Sequence, residues 1–190
     1  HVSEVLGVDD TKRVIYFTAT GYNKDENPYY LHIFRVNYDG SGLKQLDPKG
    51  FNGEFTLSDD KRFFTTTYSR VDTAPVSELY STDGRKLLTL QTVDMQPLLD
   101  AGYKYPEPFV VKSADGITDI YGVMYKPYDF DPSKKYPIIE YVYPGPQTEA
   151  VEQSWYGHMN RTDRLAQIGF IVITVGNRGG HPDRSKWYHN

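Results

Sequence analysis

The 190-residue sequence contains no cysteine. That absence excludes disulfide staples, thiolate zinc sites and a cysteine nucleophile. It also lacks a basic excess. Lys and Arg number 21 against 25 Asp and Glu, for a formal net charge of −4. Nothing in that balance favours nucleic acid or an anionic membrane surface as a partner. No apolar run approaches the roughly 20 residues of a membrane-spanning helix. No signal peptide is visible at His1. Aromatic residues are plentiful, at 15% with 17 tyrosines, which suits an ordered, strand-rich chain. The length fits one large domain or two small ones.

The first half reads as short strands separated by turns. Residues 13–20 (RVIYFTAT) and 30–36 (YLHIFRV) are β-branched and aromatic. Tyr38-Asp39-Gly40-Ser41-Gly42 is a turn signal, and Leu43 to Leu46 a short strand. A second unit repeats the plan. Glu54 to Leu57, Arg62 to Tyr68, Val76 to Tyr80 and Arg85 to Leu90 read as strands, with a Thr82-Asp83-Gly84 turn. The two Asp-Gly turns lie 44 residues apart, within the spacing of β-propeller blades. Two units fall short of the roughly 4–8 blades of a closed propeller. The pattern therefore predicts the tail of a longer propeller, with a small β-sandwich as the alternative.

The texture changes after Leu90. Met95 to Tyr105 accommodates one helical turn, and Pro106 and Pro108 bracket a bend. Phe109 to Lys112 and Asp119 to Tyr125 predict a hairpin around Asp115-Gly116. Pro137 to Tyr143 is a strand halted by Pro144-Gly145-Pro146. Residues 160–167 predict a helix capped by Asn160 or Thr162, with Leu165 and Ile168 on one face and Gly169 as its stop. Phe170 to Val175 is almost continuously apolar, as in a strand buried on both faces of a parallel sheet. It is expected to pair in parallel with Ile138 to Tyr143. Strand, helix, apolar strand is α/β grammar.

The chemistry-bearing residues are sparse. No Gly-x-Ser-x-Gly nucleophile elbow exists. Gly40-Ser41-Gly42 comes nearest and reads as a hairpin turn. The histidines are His1, His32, His158, His181 and His189, and no activated serine is identifiable beside them. Ser185 near His181 and His189 reads as a polar loop. His181, Asp183 and His189 match no metal-ligand spacing, and Gly179-Gly180 begins no phosphate loop. Trp155 and Tyr156 read as cover for apolar surface or a domain seam. Tyr143 stands out by place, because ligand sites in α/β sheets lie at the carboxyl ends of strands. A phenol fixed there can donate to an oxyanion, although any single tyrosine is more often structural. Arg178 follows the apolar strand. It reads as a structural arginine pairing a carboxylate or turn carbonyls, with support of an active-site loop as the functional alternative.

The stretch KYPIIEYVYPGPQ (135–147) resembles the start of the catalytic domain in the prolyl oligopeptidase superfamily of serine peptidases, nearest the dipeptidyl peptidase IV branch. GVDDTKRVIYFTATG, FRVNYDGSGLKQL, FTLSDDKRFFTTTYS and PVSELYSTDGRKLLTL resemble that family's final propeller blades. GFIVITVGNRGG resembles the next catalytic-domain strand with its arginine turn. The resemblance is collinear over nearly the whole chain. It departs at Pro144, where relatives often carry alanine, and at Asn177-Arg178-Gly179-Gly180, which replaces Asp-Gly-Arg-Gly.

The resemblance implies a mixed β and α/β fold. Residues 1–92 would be the C-terminal blades of a β-propeller, and 93–190 the incomplete start of an α/β-hydrolase domain. It implies that Tyr143 is an oxyanion-hole donor, and that the triad serine, aspartate and histidine follow Asn190. The glutamates that hold a substrate amine would belong to an earlier part of the propeller. The implied activity is serine exopeptidase chemistry releasing X-Pro or X-Ala dipeptides, with this chain alone inactive. It implies peptide substrates as partners, no cofactor and no metal, a homodimeric parent, and a periplasmic or secreted location, the cytoplasm remaining compatible. The alternatives are an acylaminoacyl peptidase or oligopeptidase of the same superfamily, or a non-catalytic propeller binding module. The Tyr143 motif and the α/β grammar speak against the binding module.

Overall fold

Two similar sheets form the first part of the chain in the computed structural model, which describes residues 1–143, 148–181 and 183–184. In the first sheet β1 (Val2–Asp9), β2 (Val14–Ala19), β3 (His32–Asn37) and β4 (Lys44–Gln45) follow one another as an antiparallel meander. The second repeats it with β5 (Asn52–Leu57), β6 (Phe63–Arg70), β7 (Thr73–Ser81) and β8 (Lys86–Thr92). Four-stranded antiparallel meanders of this kind are the form of propeller blades.

The turn chemistry repeats as the spacing predicted. Asp39 Oδ1 accepts the Ser41 N–H at 2.9 Å, and Asp83 Oδ1 accepts the Arg85 N–H at 3.1 Å. Gly40 and Gly84 take φ of +83° and +88°, a left-handed conformation that glycine adopts without steric cost. Period-2 alternation in β2 sends Val14 and Tyr16 inward, where they join Ile33, Leu46, Phe64 and Tyr80 in one cluster. Phe64 and Tyr80 stack at 5.3 Å.

Strand β1 lies ahead of the first strand expected from sequence. Its side chains are mostly exposed and its pairing with β2 carries two register shifts. Ladder hydrogen bonds hold it more than burial does, so hydrophobic alternation does not reveal it.

The chain divides into two compact units, His1–Arg70 with Ala74–Val93 and Val71–Thr73 with Asp94–Asn190. The second unit holds α1 (Gln96–Asp100), β9 (Glu107–Lys112), β10 (Asp119–Tyr125), β11 (Ile138–Glu140), α2 (Arg161–Gln167) and β12 (Ile171–Val175). Its sheet order is β11-β12-β10-β9. The β9–β10 hairpin is antiparallel, and β12 pairs antiparallel with β10 but parallel with β11. The core gathers Val123, Tyr125, Val151, Ala166 and Val172 with Val71. Helix α2 starts where expected, with Asp163 Oδ2 accepting the Asn160 N–H at 3.0 Å, one half of a capping box. Past its end Gly169 has φ +104°.

Two expectations need correction. Strand β12 is not buried on both faces: Val172 and Thr174 are buried, while Ile171, Ile173 and Val175 are half-buried. Ile168 does not share the inward face with Leu165 but is 72% exposed. Thr162 and Ala166 are the buried residues of α2. An apolar string shows that a strand is not on the surface; which face is sealed depends on what packs there.

Candidate functional site

The parallel pairing of β11 with β12 creates the candidate site. Glu140 lies opposite Ile173, and the Tyr141 N–H continues the ladder to the Ile173 carbonyl at 2.9 Å. The chain therefore leaves both strands at one sheet edge. Tyr143 leaves β11 there, and Arg178 leaves β12 at the same edge. In open α/β sheets this carboxyl edge is where ligands bind. Tyr143 is 56% exposed. The Pro-Gly-Pro turn expected to brace it, 144–147, lies outside the described residues.

Arg178 shares the edge with Tyr143, but its guanidinium reaches the β9–β10 turn. Its Nη1 lies 3.4 Å from Asp115 Oδ2. Asp115 is well prepared for a cation. It accepts from the Thr118 hydroxyl at 2.6 Å and from the Thr118 and Ile117 N–H groups at 2.8 Å. Those donors, the Thr118 hydroxyl first, hold its carboxyl well below the usual carboxylate range. Arg184 Nη1 donates to the Asp119 carbonyl at 2.8 Å. Two arginines thus tie the segment after β12 to one hairpin. The Arg178–Asp115 pair is exposed, so solvent screens it.

Glu149 escaped the sequence reading. Its Oε1 accepts the Ala150 N–H at 2.8 Å, and its buried Oε2 has no hydrogen-bond partner among the described residues. Burial lifts its pKa. Within QTEAVEQ nothing separates it from a solvated glutamate.

Beside α2 lies an open groove of ≈ 650 Å³, lined by Tyr125, Tyr141, Glu152, His158, Arg161 and Thr174 among others. Burial raises the pKa of Glu152 and of Asp163. The Thr174 hydroxyl has no hydrogen-bond partner among the described residues. Among the described residues, no serine lines this groove beside His158. Nearby, Trp155 Nε1 donates to the Tyr103 hydroxyl at 2.7 Å. Burial pushes the Tyr103 phenol up to about 12, and its ring meets Tyr105 and Tyr128 edge-on. Trp155 therefore covers an aromatic cluster. Tyr156 is exposed, with its ring edge-on to His158.

The other candidates have structural partners. Ser41 Oγ donates to Asp39 at 2.7 Å and accepts from Asn37 Nδ2 at 3.0 Å, inside a hairpin turn. His181 Nδ1 accepts the Asp183 N–H at 3.1 Å. Ser185 and His189 lie outside the described residues, so neither a Ser185–histidine pair nor a third zinc donor is on view. Among the described residues, no group of three metal-type side chains is placed to hold an ion. Among them, too, no helix is long and apolar enough to cross a membrane.

Comparison with known proteins adds to this geometry. Residues 1–75 match the family model for the dipeptidyl peptidase IV N-terminal region. Human "Dipeptidyl peptidase 8" is 31% identical over 192 residues, covering 93% of this chain and 21% of that protein. "Probable dipeptidyl-aminopeptidase B" of Emericella nidulans is 31% identical, covering 94% of this chain and 20% of that protein. The crystal structure of a Bacteroides ovatus protein assigned as a dipeptidyl aminopeptidase IV superposes with a TM-score of 0.80 at 32% identity. That match covers 99% of this chain and 26% of the other. The chain thus spans about a fifth of the length of the curated relatives it matches. It carries the sequence pattern of the dipeptidyl peptidase IV family across both units.

Proposed function

We propose that this chain is a segment of a serine-type dipeptidyl peptidase that releases N-terminal dipeptides, with proline or alanine second, through an acyl-enzyme. In this reading residues 1–92 are the last propeller blades, and 93–190 begin the α/β-hydrolase domain. Tyr143 donates its hydroxyl to the tetrahedral oxyanion. Arg178, through Asp115, supports the loop beside it. The triad comes from residues outside this span, so the chain alone does not hydrolyse peptides. The partners are peptide substrates and a second subunit of the parent, and the location is periplasmic or secreted.

The observation that carries the reading is Tyr143 itself. It stands at the carboxyl edge of a parallel strand pair, in a chain whose relatives are named dipeptidyl peptidases. A donor there is placed for charge that develops only in the transition state. The test is to express the full-length parent and supply peptides with free and blocked N-termini. Release of dipeptides from free N-termini, abolished by a serine-directed phosphonate, is expected. Release of single acylated residues, or cleavage inside blocked peptides, would replace this reading with an acylaminoacyl peptidase or an oligopeptidase.

A further inference from the structure

His32, at the start of β3, is fully buried. Strand alternation places it on the same face as Phe34, whose ring it meets edge-on at 6.5 Å. An imidazole inside a core must satisfy both ring nitrogens. Here each meets a carboxylate. Nδ1 lies 2.7 Å from Asp47 Oδ2, and Nε2 lies 2.8 Å from Glu26 Oε1. The side chains of Asp47 and Glu26 are only 1% and 9% exposed. Ionised carboxylates only accept, so both bonds form at once only when both ring nitrogens carry hydrogen. Gln45 Nε2 also lies 3.0 Å from Nδ1, and one of its two hydrogens goes to the Asp47 carbonyl at 3.2 Å; the Asp47 carboxylate at 2.7 Å is the nearer partner of Nδ1.

The two carboxylates pass the restraint on. Asp47 Oδ1 accepts the Ile33 N–H at 3.0 Å. Glu26 Oε2 accepts the Gly50 N–H at 2.7 Å, and its Oε1 accepts from Asn23 Nδ2 at 2.7 Å. One ring therefore holds three pieces of chain together: the 20–31 loop, the 46–50 turn and β3.

We propose that Glu26, His32 and Asp47 form a proton-dependent clasp. The imidazolium fastens the loop and the turn to β3, and loss of its proton releases them. A neutral imidazole has one N–H, so one buried carboxylate would face a lone pair with no donor. Burial by itself would drive the proton off His32. The hydrogen bond and charge of Asp47, with the charge of Glu26, outweigh burial and hold the ring above its ordinary value of 6.5. Burial also lifts the Asp47 carboxyl against the pull of His32, so the pair keeps its proton more firmly than the unfolded chain does. The remaining charge nearby is one step out. Tyr80 of β7 feels Asp47 and donates to Glu78, which pairs with Lys86 of β8. For a histidine whose folded pKa is raised, the stabilisation is complete below the unfolded value and is lost as pH rises through the folded one. The clasp does not depend on peptidase activity, so its fate and that of the proposed function are separable.

The experiment uses this chain with ¹⁵N-labelled histidine. His32 should titrate above 6.5, and both ring nitrogens should be protonated below that midpoint. Amide protection factors at Ile33 and Gly50, corrected for intrinsic exchange, should fall by at least about tenfold across the titration, the size of one pKa unit of coupling. The Thr82 amide, bonded to the Arg62 carbonyl in the second sheet, should keep its protection. Glu26→Gln should lower the His32 midpoint, and His32→Gln should abolish the pH response. If the His32 variant does not fold, the wild-type titration and the Glu26 variant still decide. A His32 midpoint at or below 6.5, or unchanged protection at Ile33 and Gly50 across it, would overturn the clasp.

Discussion

The Glu149 carboxyl lies directly over the backbone of Gly176: a Cβ built on that glycine would stand 2.7 Å from Glu149 Oε2. The same oxygen is buried without a hydrogen-bond partner among the described residues, and burial raises the carboxyl's pKa. A carboxyl whose folded pKa is raised binds its proton more tightly in the native state. Its favourable contribution is therefore present at low pH and lost as pH rises through the raised value. Glu149→Gln should stabilise the chain at pH 7 by about 1 kcal/mol, the scale of an imperfectly satisfied buried polar group. The gain should shrink toward zero near pH 4. Urea midpoints of both proteins at the two pH values test this, and a variant equally or less stable at pH 7 would contradict it.

Gly122 in β10 is a packing glycine. A Cβ there would sit 2.4 Å from Phe109 Cζ and 2.8 Å from the Thr174 carbonyl oxygen. Phe109 can turn, but the carbonyl belongs to the neighbouring strand and cannot yield without disturbing the ladder. Gly122→Ala should cost about 1–3 kcal/mol, the usual range for overpacking. A chemical denaturation curve measures it, and a loss under about 0.5 kcal/mol, ordinary for a surface change, would show that the β10–β12 spacing is looser than described.

Tyr143→Phe, made in the full-length parent, separates the catalytic role from a structural one. Losing one transition-state donor should lower kcat by about 10²–10³, or roughly 2.7–4 kcal/mol. KM and the melting midpoint should hardly move, because the ground-state carbonyl makes little use of that position. A kcat within about threefold of wild type, well short of that loss, would remove Tyr143 from the oxyanion hole.

The chain by itself should not cleave a Gly-Pro chromogenic amide, since it contains no Gly-x-Ser-x-Gly segment. Hydrolysis above a heat-killed control that a serine-directed phosphonate blocks would show a nucleophile inside these 190 residues.

Much of the architecture was legible locally. The Asp39-Gly40 and Asp83-Gly84 turns, the hairpin around Asp115 and the stop at Gly169 all rest on residues whose backbone preferences act over a few positions. The parallel direction of β12 against β11 followed from an apolar strand after a helix, although the pairing covers only Ile138–Glu140 with Ile171–Ile173 and not the whole of 138–143 and 170–175. Strand β1 was illegible because it is an exposed edge held by its partner. Ile168 was misjudged because a three-residue spacing names a helix face but not the surface that face meets. For the site, the sequence pointed to Tyr143 and Arg178 but not to the Arg178–Asp115 contact or to Glu149.

Turn chemistry, strand alternation and helix capping are short-range, and they are written in consecutive residues. They suffice for two four-stranded meanders followed by an α/β beginning. Which polar groups are buried, and against what, depends on segments that meet only after folding. Glu26 and Asp47 reach His32 from 6 and 15 residues away, and Arg184 reaches Asp119 across 65. For His32 the two carboxylates outweigh the loss of water and raise its proton affinity, and no string of neighbouring residues contains that information. The tertiary structure alone decided that His32 sits between two carboxylates, that Arg178 turns to the hairpin, and that the Glu149 carboxyl is enclosed.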